Sequence, residues 1–339
     1  MPFTTDWRQT IRTNNRKTFM VMAMFFLIYV GIGLLVDIYM NAENYPTAPL
    51  SQIFFALITF KLFPLVTLIM VAVAGISLWV TFTFHNRLML LGTEYHEITP
   101  ENAATLQEKQ LYNVVEELKI AAGLQFMPKV YLIDADYMNA FASGYSEKSA
   151  MVAITRGLIN KLNRSELQAV MAHEMSHIRR MDIKLTLMAS VLANLILIVL
   201  DLFFYQIIFS RRNNNNARGI ATIIILLRYL LPIINILLLL YLSRTREYMA
   251  DAGCVELLRD NQALASALLK INNDHLSNHD QYSAQYQQTP HENVRREAYI
   301  FDPSQAGITP SGSLSDLFST HPNLKDRLKA LGFQYNDKT

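Results

Sequence analysis

His173-Glu174-Met175-Ser176-His177 is the stretch of this 339-residue chain best equipped for chemistry. Two histidines four apart on a helix share one face, with Cβ atoms about 5–6 Å apart. Both imidazoles can then reach one Zn²⁺ at the usual ~2.0–2.1 Å. The glutamate between them has the type and place of a general base toward an attacking water. A pattern this short also arises as a polar patch on an ordinary helix, so the surrounding elements must decide.

A catalytic zinc takes three protein ligands and keeps one position open. The best candidate for the third lies in SRTREYMADAGCVEL, where Glu247 and Asp251 are four residues apart on an expected helix. One carboxylate would bind the metal; the other would accept the spare N–H of a ligating histidine and fix its tautomer. The competing reading is a solvated acidic face beside Arg244 and Arg246. Cys254 follows on the same helix face and reads as a small packing residue.

The elements that would carry these residues are of two kinds. The composition is 51% hydrophobic and only 17% charged, and the excess is concentrated. Thr18–Met40 and Leu62–Phe84 are apolar runs of bilayer-spanning length. Leu185–Ile208 and Ile220–Leu242 form a second pair, with Asp201 and Arg228 as interior charges that either pair or find separate partners. The first run is too long for a signal-peptide core and reads as an uncleaved anchor. Arg8, Arg12, Arg16 and Lys17 precede it, whereas Lys61 is the main basic residue before the second, which puts the N-terminus on the cytoplasmic side. Arg211, Arg212 and Arg218 flank Asn213–Asn216, an unusually basic loop for the far side, so the second hairpin spans, is re-entrant or lies at the interface. The net charge of +2 is spread over such flanks, and nothing resembles a nucleic-acid platform. A single cysteine excludes an internal disulfide.

Outside the apolar runs, Asn102–Gly123 has helical periodicity, and Lys129–Asp134 reads as a strand. Asn139–Ser143 and Met151–Thr155 read as a hairpin, and Asn163 with Glu166 caps the helix that carries HEMSH. This predicts a small α+β domain with a short sheet inside a mostly helical membrane protein of about four hydrophobic helices. The expected organisation is a cytoplasmic segment at 1–17, a first hairpin at 18–84, and a cytoplasm-facing catalytic domain at 85–339. That domain is interrupted by a second hairpin at 185–242. Residues 272–297 are rich in Asn, Gln, His and Ser and read as a flexible polar insertion, with His275, His279 and His291 exposed.

Several motifs in order make the chain resemble the HtpX family of membrane-embedded zinc metalloproteases, relatives of the CAAX prenyl proteases. They are NAFASG, LNRSELQAVMAHEMSHI, SRTREYMADAGCVEL and STHPNLKDRLKAL, together with the two hydrophobic pairs. The resemblance implies a zincin-like domain holding one Zn²⁺ through His173, His177 and Glu247. Glu174 would be the catalytic base, and Asp251 the carboxylate one turn beyond the third ligand. It implies that Asn139, Ala140, Phe141, Ala142 and Ser143 line the cleft, where an extended substrate could pair by strand addition. His321 and Arg327 match a terminal HPxLxxR pattern; they either steady the oxyanion or form a helix cap and a structural ion pair. The implied activity is hydrolysis of polypeptides, chiefly damaged or misfolded membrane proteins, at a multi-pass bacterial inner membrane with the site facing the cytoplasm. A CAAX-type prenyl-protein protease and a non-enzymatic zinc-binding chaperone are the alternatives.

Overall fold

A computed structural model describes residues 7–181, 201, 215–289, 295–296, 298–308 and 321–333. The third apolar run, apart from Asp201, and the Arg211–Arg212 part of the basic loop lie outside the described residues, as does His291. The chain divides into two compact units, one of residues 1–15, 84–186 and 239–339, the other of 16–83 and 187–238.

The second unit holds most of helix α1 (Trp7–Asn44), the short helix α2 (Leu50–Ile58) and most of α3 (Leu65–Leu90). Among the described residues, Ala23–Ala42 is the one stretch long and apolar enough to cross a membrane; Leu65–Val80 is a shorter apolar helix. The connection between the first two runs is thus a helix rather than a plain loop. Asp37 organises this region. Its carboxylate accepts hydrogen bonds from the N–H groups of Val66 (3.0 Å) and Thr67 (2.9 Å) and from the Thr67 hydroxyl (2.7 Å), satisfying donors at the start of α3. Gly33 allows the close approach, since a Cβ there would stand 2.6 Å from Thr67 Cα. Phe26, Leu27, Phe55 and Trp79 turn outward, an apolar surface that suits lipid. Arg228 and Asp201 form an ion pair, so the two interior charges are partners.

The first unit is built on a four-stranded sheet of order β1-β2-β4-β3, made of β1 (Tyr95–Ile98), β2 (Lys129–Ile133), β3 (Ala140–Ser143) and β4 (Met151–Thr155). β2 and β4 are parallel, and the β1–β2 and β3–β4 pairs are antiparallel. Covered on both faces, β4 and β3 read as continuous apolar runs rather than alternating ones. On one face Val130, Leu132, Ala142, Val152 and Ile154 pack with α4 (Leu106–Ala122) and α6 (Arg164–Arg180). On the other, Tyr131, Phe141, Met151 and Ala153 pack with Tyr137, Tyr282, Tyr286 and Tyr299. α4 starts at a Thr105–Glu108 capping box and ends at Gly123, whose φ of 70° suits a glycine C-cap. The Asn163–Glu166 capping box at the start of α6 forms as expected. A short helix, α5 (Arg156–Lys161), links β4 to α6. α7 spans Asn215–Leu258, so the fourth apolar run and the Glu247–Asp251 turn belong to one helix.

One expectation is overturned. Most of the 272–297 stretch is helical, within α8 (Gln262–Ser277) and α9 (His279–Gln288). Asn272, Tyr282 and Tyr286 are buried and His275 is fully so, whereas His279 is half-buried. Polar composition hid this burial. The inward groups are His, Asn and Tyr, which can be buried where each polar atom finds a bond. The chain closes on α10 (Leu324–Ala330), capped by Asn323.

Candidate active site

α6 and α7 build the site together. Gly253 and Cys254 lie where α7 crosses α6. A Cβ on Gly253 would stand 2.6 Å from the Ser176 hydroxyl oxygen, and the Cys254 thiol donates to the Ala169 carbonyl at 3.2 Å. Cys254 is therefore a packing residue, and burial pushes its thiol up, away from the range of a reactive thiolate.

The close crossing sets Glu247 against both histidines. The His173 and His177 Nε2 atoms are 3.2 Å apart; Glu247 Oε2 is 3.4 Å from the first and Oε1 3.6 Å from the second. Two ligand atoms about 2.0–2.1 Å from one ion in tetrahedral geometry stand about 3.3 Å apart. The three residues, all buried, thus fit a metal ion. His321 lies on the Glu247 side, with Nδ1 3.5 Å from Oε2, and is not a member of the three-residue group.

A supporting layer fixes the candidate ligands. His173 Nδ1 is 2.9 Å from Asp251 Oδ1. Arg327 donates from Nη2 (2.7 Å) and Nε (3.0 Å) to the Asp251 carboxylate, and from Nη1 to the Ile300 carbonyl (2.6 Å). Arg327 thus makes the ion pair of the structural reading, with three of its five N–H groups on Asp251 and Ile300. His321 Nε2 lies 3.3 Å from the Arg296 carbonyl. Burial alone would depress the His173 imidazole; its hydrogen bonds to Asp251 and Glu247 prevail and push it up to about 9. Burial also raises Glu247, but the His321 imidazole and the His173 hydrogen bond hold it well below the usual carboxylate range. Glu174 differs. Burial pushes its carboxyl above that range, and among the described residues neither oxygen has a hydrogen-bond partner. A buried carboxylate poised to take a proton is what a general base requires.

The expected substrate strand forms β3, and part of it is held by the chain itself. β3 lies at the edge of the sheet, yet Tyr299 bridges Phe141 and the Ile300 N–H donates to the Ala140 carbonyl at 2.9 Å. Asn139 is fully buried, and its amide nitrogen donates to the Phe301 carbonyl (2.9 Å) and the Tyr286 hydroxyl (3.3 Å). Asn139 and Ala140 are thus engaged by the chain itself. Tyr286, His275 and Ile300 were not anticipated; the spacing of His275, Tyr282 and Tyr286 along helical turns was the available signal.

The model of peptidase family M48 matches residues 105–333, a range that contains every residue of the site. The chain belongs to peptidase family M48. Within it the most specific likeness is to proteins named protease HtpX homolog. That from Helicobacter pylori (strain Shi470) is 39% identical over 96% of this chain and 98% of its own length. Those from Helicobacter acinonychis and Streptococcus uberis are 38% and 32% identical over 96% and 95% of this chain. A crystal structure of S. mikatae Ste24p aligns with 93% of this chain and 66% of its own, at 18% identity and a TM-score of 0.46. This M48 peptidase therefore carries its family's peptide-bond chemistry, with a buried His173–His177–Glu247 group that could hold a metal.

Proposed function

We propose that this protein is an integral-membrane zinc endopeptidase that hydrolyses extended segments of damaged or misfolded membrane proteins. The observation that carries the proposal is the metal-sized gap between His173, His177 and Glu247, with Glu174, whose carboxylate has no hydrogen-bond partner among the described residues, on the same helix as both histidines. Zinc bound there would act as a Lewis acid and make water acidic enough to be deprotonated near neutral pH. Glu174 takes the proton of the attacking water and passes it to the leaving amine. His173 is held in one tautomer by Asp251, which Arg327 in turn orients. The apolar α1 and α3 anchor the chain, with four hydrophobic segments in all and the N-terminus and site on the cytoplasmic side, where loops and frayed ends of membrane proteins are within reach.

The test uses the full chain purified in detergent and loaded with zinc, assayed on an unfolded soluble protein and on a membrane protein. The parent cleaves both, Glu174→Gln retains bound zinc but cleaves neither, and His173→Ala loses both zinc and activity. Cleavage by Glu174→Gln would falsify the role given to Glu174.

A further inference from the structure

α7 carries two arginines just before Glu247, and the fold treats them differently. Arg244 is exposed, whereas Arg246 is only 9% exposed. A guanidinium keeps its charge in a protein and brings five N–H donors. Buried groups of this kind are normally hydrogen-bonded and paired. Among the described residues Arg246 Nε is buried with no hydrogen-bond partner, and the guanidinium pairs only with Glu247, its Nη2 standing 3.7 Å from Oε1. The buried cation therefore stands against a candidate metal ligand.

The surroundings of the Glu247 carboxylate show what Arg246 can do there. Oε2 faces His173 Nε2 at 3.4 Å and His321 Nδ1 at 3.5 Å. Oε1 faces His177 Nε2 at 3.6 Å and Arg246 Nη2. A metal ion would engage both Nε2 atoms, which leaves each oxygen one outer neighbour. His321 has a second acceptor to serve, because its Nε2 lies 3.3 Å from the Arg296 carbonyl. Arg246 has no second acceptor among the described residues.

We propose that Arg246 is the positioning residue of Glu247: it donates to Oε1 and so leaves Oε2 to bind the metal alone. Closing 3.7 Å to the ~2.8 Å of a charge-assisted bond takes a shift of about 1 Å. Asp251 plays the matching part for His173. The inference rests on reading His173, His177 and Glu247 as a zinc site, and it names what holds the carboxylate member in place.

The full chain in detergent, stripped of metal and reloaded with Zn²⁺ or Co²⁺, is compared with Arg246→Met and Arg246→Lys. A nearby cation also repels a dication, so the sign of the change is itself a test. In chelator competition Arg246→Met binds Zn²⁺ about 10–100-fold more weakly, and Arg246→Lys, which keeps a charged donor, recovers part of the loss. Co²⁺ supplies a readout that a packing defect alone does not move. With Oε1 released, Glu247 can bind through both oxygens, and the higher coordination number weakens the visible Co²⁺ bands of Arg246→Met. Arg246→Lys keeps the parent spectrum. Unchanged or tighter Zn²⁺ binding by Arg246→Met overturns the proposal, tighter binding being the mark of plain charge repulsion. Weaker binding with the parent's Co²⁺ spectrum overturns it too, as does a loss confined to kcat/KM, which would make Arg246 a substrate contact. Should Arg246→Met not fold, Arg246→Gln, neutral and shorter, takes its place with the same expected losses. A parent chain that binds neither ion rejects the zinc reading itself and this inference with it.

Discussion

Asp251 and Arg327 stand behind the candidate ligand His173 as a buried, doubly bonded ion pair. Removing one partner of such a pair leaves an uncompensated charge and costs about 3–5 kcal/mol, whereas replacing both with apolar groups costs less. Asp251→Ala therefore loses more thermal stability than the double variant Asp251→Ala/Arg327→Met. Both variants lose zinc affinity about 10–100-fold, because His173 loses the acceptor that orients it. Paired melting curves and a chelator competition check the two parts separately. His275 offers a pH test away from the metal. Burial depresses its imidazole from 6.5 to about 4, against a weaker pull upward from the Ile271 carbonyl and Asp274; Lys161 adds to the depression. The unfolded chain then binds the proton first, so the contribution is complete above pH 6.5 and fades as pH falls toward 4, by about 3 kcal/mol in all. The melting temperature of His275→Gln falls less steeply than that of the parent between pH 6.5 and 4. The cluster of His173, His177 and Glu247 could be anticipated because the histidines are spaced within one helical turn and Glu247 has Asp251 one turn on. Arg327 was legible only as a motif member, because its partner lies on another element and nothing local marks the pairing.

At the scale of elements, the site exists because α7 can approach α6 closely enough to bring Glu247 between the two histidines. Gly253 is the point of approach, where any Cβ meets Ser176 at 2.6 Å from Oγ and 2.9 Å from Cβ. Gly253→Ala must push the helices apart, at a cost of about 1–3 kcal/mol. Its signature is a loss of zinc affinity larger than the effect of an Ala substitution at the exposed Lys109 of α4, and Ser176→Ala in the same chain restores part of it. Retention of full zinc affinity by Gly253→Ala would show that the crossing tolerates a wider spacing. The β3–β4 hairpin, α4 and α6 were readable from period, capping boxes and the β-branched content of the strands. β1 was missed because its four residues, Tyr95–Ile98, are half exposed and carry no apolar run. α9 was misread because its buried side chains are tyrosines among glutamines, and burial there depends on hydrogen bonds made to distant residues.

The whole molecule must hold a buried hydrolytic site on a chain whose other unit presents Phe26, Leu27, Phe55 and Trp79 outward. An apolar surface of that kind is stable in lipid; under the proposed function α1 and α3 anchor the chain, and the basic flanks then choose the side. Arg8, Arg12, Arg16 and Lys17 lie before the first apolar run, against Lys61 before the second. The turn between α1 and α2 should accordingly face away from the cytoplasm, and the α4 surface toward it. Both sites can be labelled singly, since the native Cys254 is buried and does not react. Thr47→Cys and Lys109→Cys introduce thiols at exposed positions of the turn and of α4. In intact cells a membrane-impermeant maleimide labels Thr47→Cys, and Lys109→Cys only after the cells are opened. The reverse pattern would invert the topology and put the site out of reach of cytoplasmic substrates. Labelling of both without permeabilisation would mean that α1 and α3 do not form a transmembrane hairpin, and the apolar surface would then call for burial against protein.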